Sequence, residues 1–417
     1  MRRPSATTVF YALEFLLSAP AWVVIAIYLV RDLHLSPLQL VLMGTAMEVS
    51  VFLFEVPTGV VADTYGRKLS QVIGYIGMGL AWLLVGVFSA PWLIIALWAM
   101  WGISYTFTSG AYEAWITDEI GIERVPKVFL RGARFSYAGA LAGLVILVAI
   151  GTESLRAAVI GGGAISIVSG IACIFLMPET GFSRRPVAER LRPVAELRRT
   201  AGDAGRFVRA KPNLLIVIAI ALFVGLSAEA FDRLKEAHFI RDIGLPSVGG
   251  LDDVVWFGGF AVVAMVFGFF VVGALQRRFE RSGTERIAAL LFAFTGLLLV
   301  AELSYALAGN AGLAIAAILI VLLARDLLSP LWMTWVNQQV TDSSVRATVI
   351  SMTGQADAVG QAAAGPILGL VGSTFGIPTA LAVGALLLAP ALLLYGRSMG
   401  RGGRVPELEE LPAPAEA

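Results

Sequence analysis

Residues 54–68 read Phe54-Glu55-Val56-Pro57-Thr58-Gly59-Val60-Val61-Ala62-Asp63-Thr64-Tyr65-Gly66-Arg67-Lys68. A largely apolar run ends in an acid, a turn glycine and two cations, and another apolar run begins directly after. Gly66 permits a tight turn and Gly59 permits close helix packing. Asp63, at a helix end beside cations, can pair with them or release them as the conformation changes. The stretch reads as a short charged hinge between two apolar helices. A plainer reading of the same residues is a basic turn that obeys the charge bias of membrane loops.

The flanks set the fold class. Hydrophobic residues make up 58% of the 417 and charged residues only 15%, against roughly 25% in a soluble domain. Mean hydropathy is +0.81. A single soluble domain, a disordered chain and a collagen-like chain are excluded. Runs of about 20 apolar residues cross a bilayer. Twelve are read at 7–30, 38–62, 69–89, 91–117, 132–151, 155–177, 213–236, 254–275, 287–308, 312–336, 347–372 and 377–395. The expectation is an all-α integral membrane protein with twelve transmembrane helices. Met1-Arg2-Arg3 leads straight into a full-length span without a small-residue cleavage site, so that span reads as the first helix rather than a removed signal.

Residue counts exclude several chemistries. Cys173 is the only cysteine, so a disulfide framework and a cysteine metal cluster are ruled out. His34 and His238 have no HExxH spacing, and Gly-Lys never occurs, which removes a P-loop. No metal, no cofactor, no nucleic-acid partner and no enzymatic activity are expected.

Lys and Arg orient the chain. With the N-terminus in the cytoplasm, 24 of 31 fall in inner loops and tails, and only Arg31, Arg156 and Arg241 in outer loops. This bias predicts a plasma-membrane protein with both termini cytoplasmic. Residues 179–212 form a basic linker with nine Lys/Arg, expected to rest on anionic headgroups. It separates an N-terminal six-helix half, 1–178, from a C-terminal half, 213–396, and 397–417 is expected to be a disordered tail.

The halves echo each other. Gly59 and Arg67 align with Gly273 and Arg281 at an offset of 214. Arg131-x4-Ser136-x2-Gly139 matches Arg346-x4-Ser351-x2-Gly354 at 215, and Ser109 and Trp115 match Ser329 and Trp335 at 220. Parallel six-helix repeats are one architecture of alternating-access transporters.

The loop at 59–68 resembles the signature of the major facilitator superfamily, G-x-x-x-D-[RK]-x-G-[RK]-[RK]. Gly59, Asp63, Gly66, Arg67 and Lys68 match; Thr64 stands where a basic residue is usual. The resemblance implies a fold of two pseudo-symmetric six-helix halves and a gating loop that stabilises the outward-facing state. In the second half Arg277 and Glu280 stand where Asp63 and Gly66 stand in the first. The segment Ser227-Ala228-Glu229-Ala230-Phe231-Asp232-Arg233-Leu234-Lys235-Glu236-Ala237-His238 resembles bacterial tetracycline- and macrolide-efflux drug:proton antiporters. The Gly-Pro pair typical of the antiporter motif is missing from the fifth span, which carries Gly139-Ala-Leu-Ala-Gly143.

Ten acids lie inside the spans: Glu14, Glu48, Glu55, Glu113, Glu229, Asp232, Glu236, Glu302, Asp326 and Asp357. Only Arg134, Arg233, Lys235 and Arg325 oppose them there. An unpaired charge costs about 2.5–3.5 kcal/mol at mid-bilayer, so these side chains should face protein or water. The surplus acids can take up protons or attract cations. Arg325 and Asp326 sit at mid-span, as do Glu48 and Asp357. Glu229, Asp232, Arg233 and Glu236 share one stripe, with Glu229 and Arg233 at salt-pair spacing.

The candidate substrate and proton residues are Glu48, Glu229, Asp232, Arg233, Arg325, Asp326 and Asp357, with Glu14, Glu55 and Glu113 as further candidates. Glu55 and Glu113 are also placed to partner loop cations, and Glu302 reads as an outer-end residue. Trp98, Trp101 and Tyr105 share a face that can stack a planar molecule or pack on a neighbour. The expected function is proton-driven export of a hydrophobic or cationic small molecule, an antibiotic among the options, by a monomer in the lipid bilayer. The alternative is proton-coupled import of a metabolite.

Overall fold

A computed structural model describes residues 4–182, 214–272, 282–339 and 343–399. Among them every regular element is helical. Twelve helical spans, from Ala6–Arg31 to Ile377–Met399, are long and apolar enough to cross a membrane. The all-α class and the number of spans agree with the hydropathy reading. Most of the basic linker, the tail beyond 399 and the second-half loop at 273–281 lie outside the described residues.

The chain divides into two compact units: Met1–Arg199 with Ser247–Gly259, and Thr200–Pro246 with Phe260–Ala417. In the first, α1 (Ala6–Ser18) and α2 (Trp22–Arg31) are followed by α3 (Pro37–Tyr65), α4 (Arg67–Val87), α5 (Pro91–Thr106), α6 (Ala111–Ile120), α7 (Val125–Glu153) and α8 (Leu155–Leu176). Helix α4 packs on α8, α3 on α5 and α1 on α7. The helices that follow are α9 (Leu214–His238), α10 (Asp253–Phe267), α11 (Thr284–Ala306), α12 (Ala311–Gln339), α13 (Ser343–Phe375), α14 (Ile377–Leu386) and α15 (Ala389–Met399). Single π turns follow α9 and α10, at Phe239–Ile243 and Gly268–Val272. In the second unit α9 packs on α13 and α11 on α12.

Three spans expected to be continuous are each two helices. The first breaks at Ala19–Ala21, where Pro20 lacks the N–H that would continue the ladder. The last breaks between Leu386 and Ala389. The fourth breaks at 107–110, between α5 and α6. A backbone carbonyl released inside a membrane needs a donor from the protein. Thr58 Oγ1 donates to the Thr106 carbonyl at 3.0 Å, Ser70 Oγ to Phe107 at 2.6 Å and Gln71 Nε2 to Thr108 at 3.2 Å. All three donors are buried. The hinge quoted at the outset is thereby fastened, through residues on both its flanks, to a broken helix about 40 residues further along the chain.

Apolar packing in the first unit centres on a cluster from α1, α4, α6 and α8. Val9, Phe10, Leu13, Tyr75, Tyr112, Trp115 and Cys173 are buried together. Phe10 and Tyr112 stack with centroids 5.1 Å apart. Two polar tips find carbonyls: Tyr112 Oη donates to Phe10 at 3.1 Å and Trp115 Nε1 to Pro178 at 2.6 Å. In the second unit Trp332, Trp335 and Tyr395 form a comparable cluster. Lipid tails are as apolar as these side chains, so close packing and satisfied polar tips supply the specificity.

Candidate functional site

Helices α9 and α13 approach so closely that a Cβ on Gly225 would overlap the Asp357 carbonyl oxygen. Only glycine allows that approach. It sets Asp357 beside α9, on the wall of a cavity of about 550 Å³ inside the second unit. Apolar side chains from α9, α11, α12, α13 and α15 form most of the lining, with Trp332 and Tyr395 among them.

Four charged groups line it: Asp232, Glu302, Arg325 and Asp357. Arg325 donates through Nη1 to Asp232 and through Nη2 to Glu302 Oε1, the latter at 3.0 Å. The guanidinium carbon lies 4.8 Å from the Phe231 ring centre, a cation–π contact that holds its plane. Ser227 Oγ donates to the second Glu302 oxygen at 3.3 Å. Side-chain exposure separates the two acids: 38% for Asp232 and 3% for Glu302. Solutes in the cavity can therefore reach Asp232, whereas Glu302 meets them through Arg325. Asp357 accepts from Gln361 Nε2 at 2.8 Å, one turn along α13.

The other members of the α9 stripe point elsewhere. Glu229 is fully buried and faces Arg233 at 3.6 Å, and Lys235 pairs with Glu236 at 3.1 Å. Neither pair lines the cavity. Asp326 also lies off it, facing Gly268 in the π turn. Of the residues singled out in the sequence, the structure brings Asp232, Arg325 and Asp357 together. Glu302, Gln361 and Ser227 join them without having been named as site residues. The one sequence signal for Glu302 was its membership of the surplus of membrane acids.

The remaining acids belong to the first unit. Glu55 accepts from Ser109 Oγ at 2.9 Å. Glu48, Glu55 and Glu113 all lie within electrostatic reach of Tyr105. Tyr105 stacks on Trp101 at 5.5 Å, and Trp101 meets Trp22 edge-on at 5.0 Å. Trp98 is buried, whereas Tyr105 and Trp22 are exposed. The aromatic face thus packs at one end and is open at the other.

In the signature loop, Asp63 and Arg67 form an ion pair one helical turn apart. Arg67 Nε also lies 3.8 Å from Asp118 Oδ2 on α6. Gly66 has φ +124°, in the region that favours glycine, and a Cβ there would lie 2.7 Å from Glu179 Oε1. That same oxygen accepts from the Lys68 backbone N–H at 2.9 Å, satisfying a free donor at the start of α4. Glu119 accepts from the backbone N–H groups of Thr180 and Gly181. The loop, the end of α6 and residues 178–182 make one hydrogen-bonded patch. A Cβ on Gly59 would meet no atom within 4 Å, so close packing does not explain that glycine in this structure. Thr64 is buried, which leaves no room in water for the basic residue usual there. Among the described residues no group of three His, Cys, Asp or Glu side chains is placed to hold a metal ion.

Residues 7–364 match the Major Facilitator Superfamily. The chain belongs to this family. It is 23% identical over 384 residues, 90% of each chain, to the uncharacterized MFS-type transporter YxaM of Bacillus subtilis (strain 168). Among solved structures it resembles the nucleoside transporter NupG, with a TM-score of 0.73 and 13% identity, covering 95% of this chain and 100% of that one. The peptide transporter POT in complex with sulfate gives 0.70 and 14%, covering 95% of each. Such low identities carry the fold alone. The chain is a multi-pass membrane transporter and not an enzyme.

Proposed function

We propose that this chain is a proton-coupled secondary transporter that exports a hydrophobic or cationic small molecule by alternating access. One observation supports the reading most: three carboxylates and one guanidinium line a mainly apolar cavity of about 550 Å³. Arg325 can balance one negative charge, so the fully ionised site carries a surplus of two. Protons or an organic cation relieve that surplus, and apolar walls with Trp332 and Tyr395 suit a planar, greasy body. Export follows if solute and protons compete for Asp357 and Asp232 and their binding biases the exchange between conformations. The Asp63–Arg67–Asp118 cluster and Glu179 act as the inner latch. On this reading the protein works as a monomer in the plasma membrane with both termini in the cytoplasm.

The test is flux in proteoliposomes under an imposed pH gradient, with a panel of planar organic cations and neutral analogues. Proton-driven movement of cations, lost in Asp357→Asn and Asp232→Asn, is the expected result. Gradient-independent movement, unchanged in both variants, would refute the coupling. Accumulation on the side from which protons leave indicates export; the opposite polarity indicates the import mode.

A further inference from the structure

The first unit holds a second cavity, of about 420 Å³, that the proposed transport chemistry does not use. Lys127, Arg131 and Arg134 line one side of it, from α7. Their spacings of four and three keep them within about 60° of arc on one helix face. Thr7 and Tyr11, one turn apart on α1, line the other side. Tyr11 is held in place by stacking on Phe135, with centroids 5.0 Å apart.

What sets these three cations apart is that they converge on one recess. Arg31, Arg67, Arg233, Lys235 and Arg325 each have a carboxylate partner. Lys127, Arg131 and Arg134 have none among the described residues. Glu14, deeper on α1, is not part of the lining. Three like charges in one recess repel each other unless an anion joins them. Guanidinium forks match the oxygens of a phosphate, an ammonium adds a point charge, and hydroxyls can donate to the remaining oxygens. Val128 and Leu130 add an apolar edge, and Leu130 is 69% exposed.

We propose that this α1–α7 cavity binds a phosphate group, carried either by an anionic phospholipid headgroup or by free phosphate. Its position at the end of the bundle that the Lys/Arg bias assigns to the cytoplasm places it where anionic headgroups lie. The assignment is independent of what the second-unit cavity carries.

The test uses the full-length chain in a neutral detergent. Native mass spectrometry compares retention of phosphatidylglycerol with that of phosphatidylcholine, and calorimetry measures inorganic phosphate. The variants are Arg131→Gln and the triple change Lys127→Gln, Arg131→Gln, Arg134→Gln. Arg124→Gln, outside the cavity, is the control, and Asp357→Asn tests independence from the transport cavity. Removing a cation near a headgroup weakens binding by about fivefold, so the triple change should cost on the order of a hundredfold. A preference for phosphatidylglycerol that falls in Arg131→Gln and vanishes in the triple variant, but survives Arg124→Gln and Asp357→Asn, supports the headgroup as source. The same pattern with inorganic phosphate supports free phosphate. Wild-type protein that binds neither probe, or binding that Arg131→Gln and the triple variant leave unchanged, overturns the proposal. Arg131→Gln alone decides the matter if the triple variant does not fold.

Discussion

Glu302 Oε1 accepts from Arg325 Nη2 at 3.0 Å, although Glu302 is almost wholly buried while a quarter of the Arg325 side chain is exposed. The guanidinium therefore stands between the cavity and a carboxylate that water hardly reaches, and it also holds Asp232. Arg325→Met should leave Glu302 without a counter-charge and destabilise the second unit by about 3–5 kcal/mol. The double change Arg325→Met, Glu302→Gln should recover most of that loss. Thermal unfolding of the two variants in the same detergent checks both outcomes.

Asp357 is bonded by a neutral partner, Gln361, rather than by a cation. Asp357→Asn can keep that contact, so stability should change by less than about 1 kcal/mol. Proton-driven flux should fall by at least about tenfold, because the neutral amide cannot exchange a proton. Substrate exchange without a gradient should persist. Measuring both modes on one preparation separates a coupling defect from a binding defect, and equal loss of both would assign Asp357 to substrate binding.

Gly66 has φ +124°, and Glu179 lies against the space a Cβ would take. Gly66→Ala should cost about 1–3 kcal/mol from backbone strain, with a further steric cost against the carboxylate. Glu179→Ala should cost about 1 kcal/mol by freeing the Lys68 N–H. Combined, the two changes should cost less than their sum, since the second removes the clash of the first. A double-mutant cycle on unfolding temperature reads that coupling.

Ser70 and Gln71 donate to carbonyls at the α5–α6 break. Ser70→Ala should leave the Phe107 carbonyl short of a donor in a partly buried place and cost about 1–3 kcal/mol. Amide hydrogen exchange at 107–112 should rise in that variant. Unchanged exchange there would show that the break does not depend on the α4 side chains.

Much of this was legible in the sequence because hydropathy is local and additive. Twelve spans, the positive bias of one set of loops and the spacing of Gly59, Asp63, Gly66, Arg67 and Lys68 need no knowledge of what packs on what. The surplus of acids over cations in the spans was equally plain, and it already pointed to a polar interior.

Which acids meet was decided by the tertiary structure. Position along a span ranked Asp326 with Arg325 and set Glu302 apart at an outer end. The fold turns Asp326 toward Gly268 and brings Glu302 to Arg325. Likewise Glu229 and Asp232 share a stripe on α9, yet one meets Arg233 and the other faces the cavity. Hydropathy fixes that a segment crosses the membrane, whereas a charge's partner depends on each helix's rotation and on the reach of side chains from other helices. The sequence alone therefore determined a charged interior within twelve helices, and only the packed helices determined which carboxylates share it.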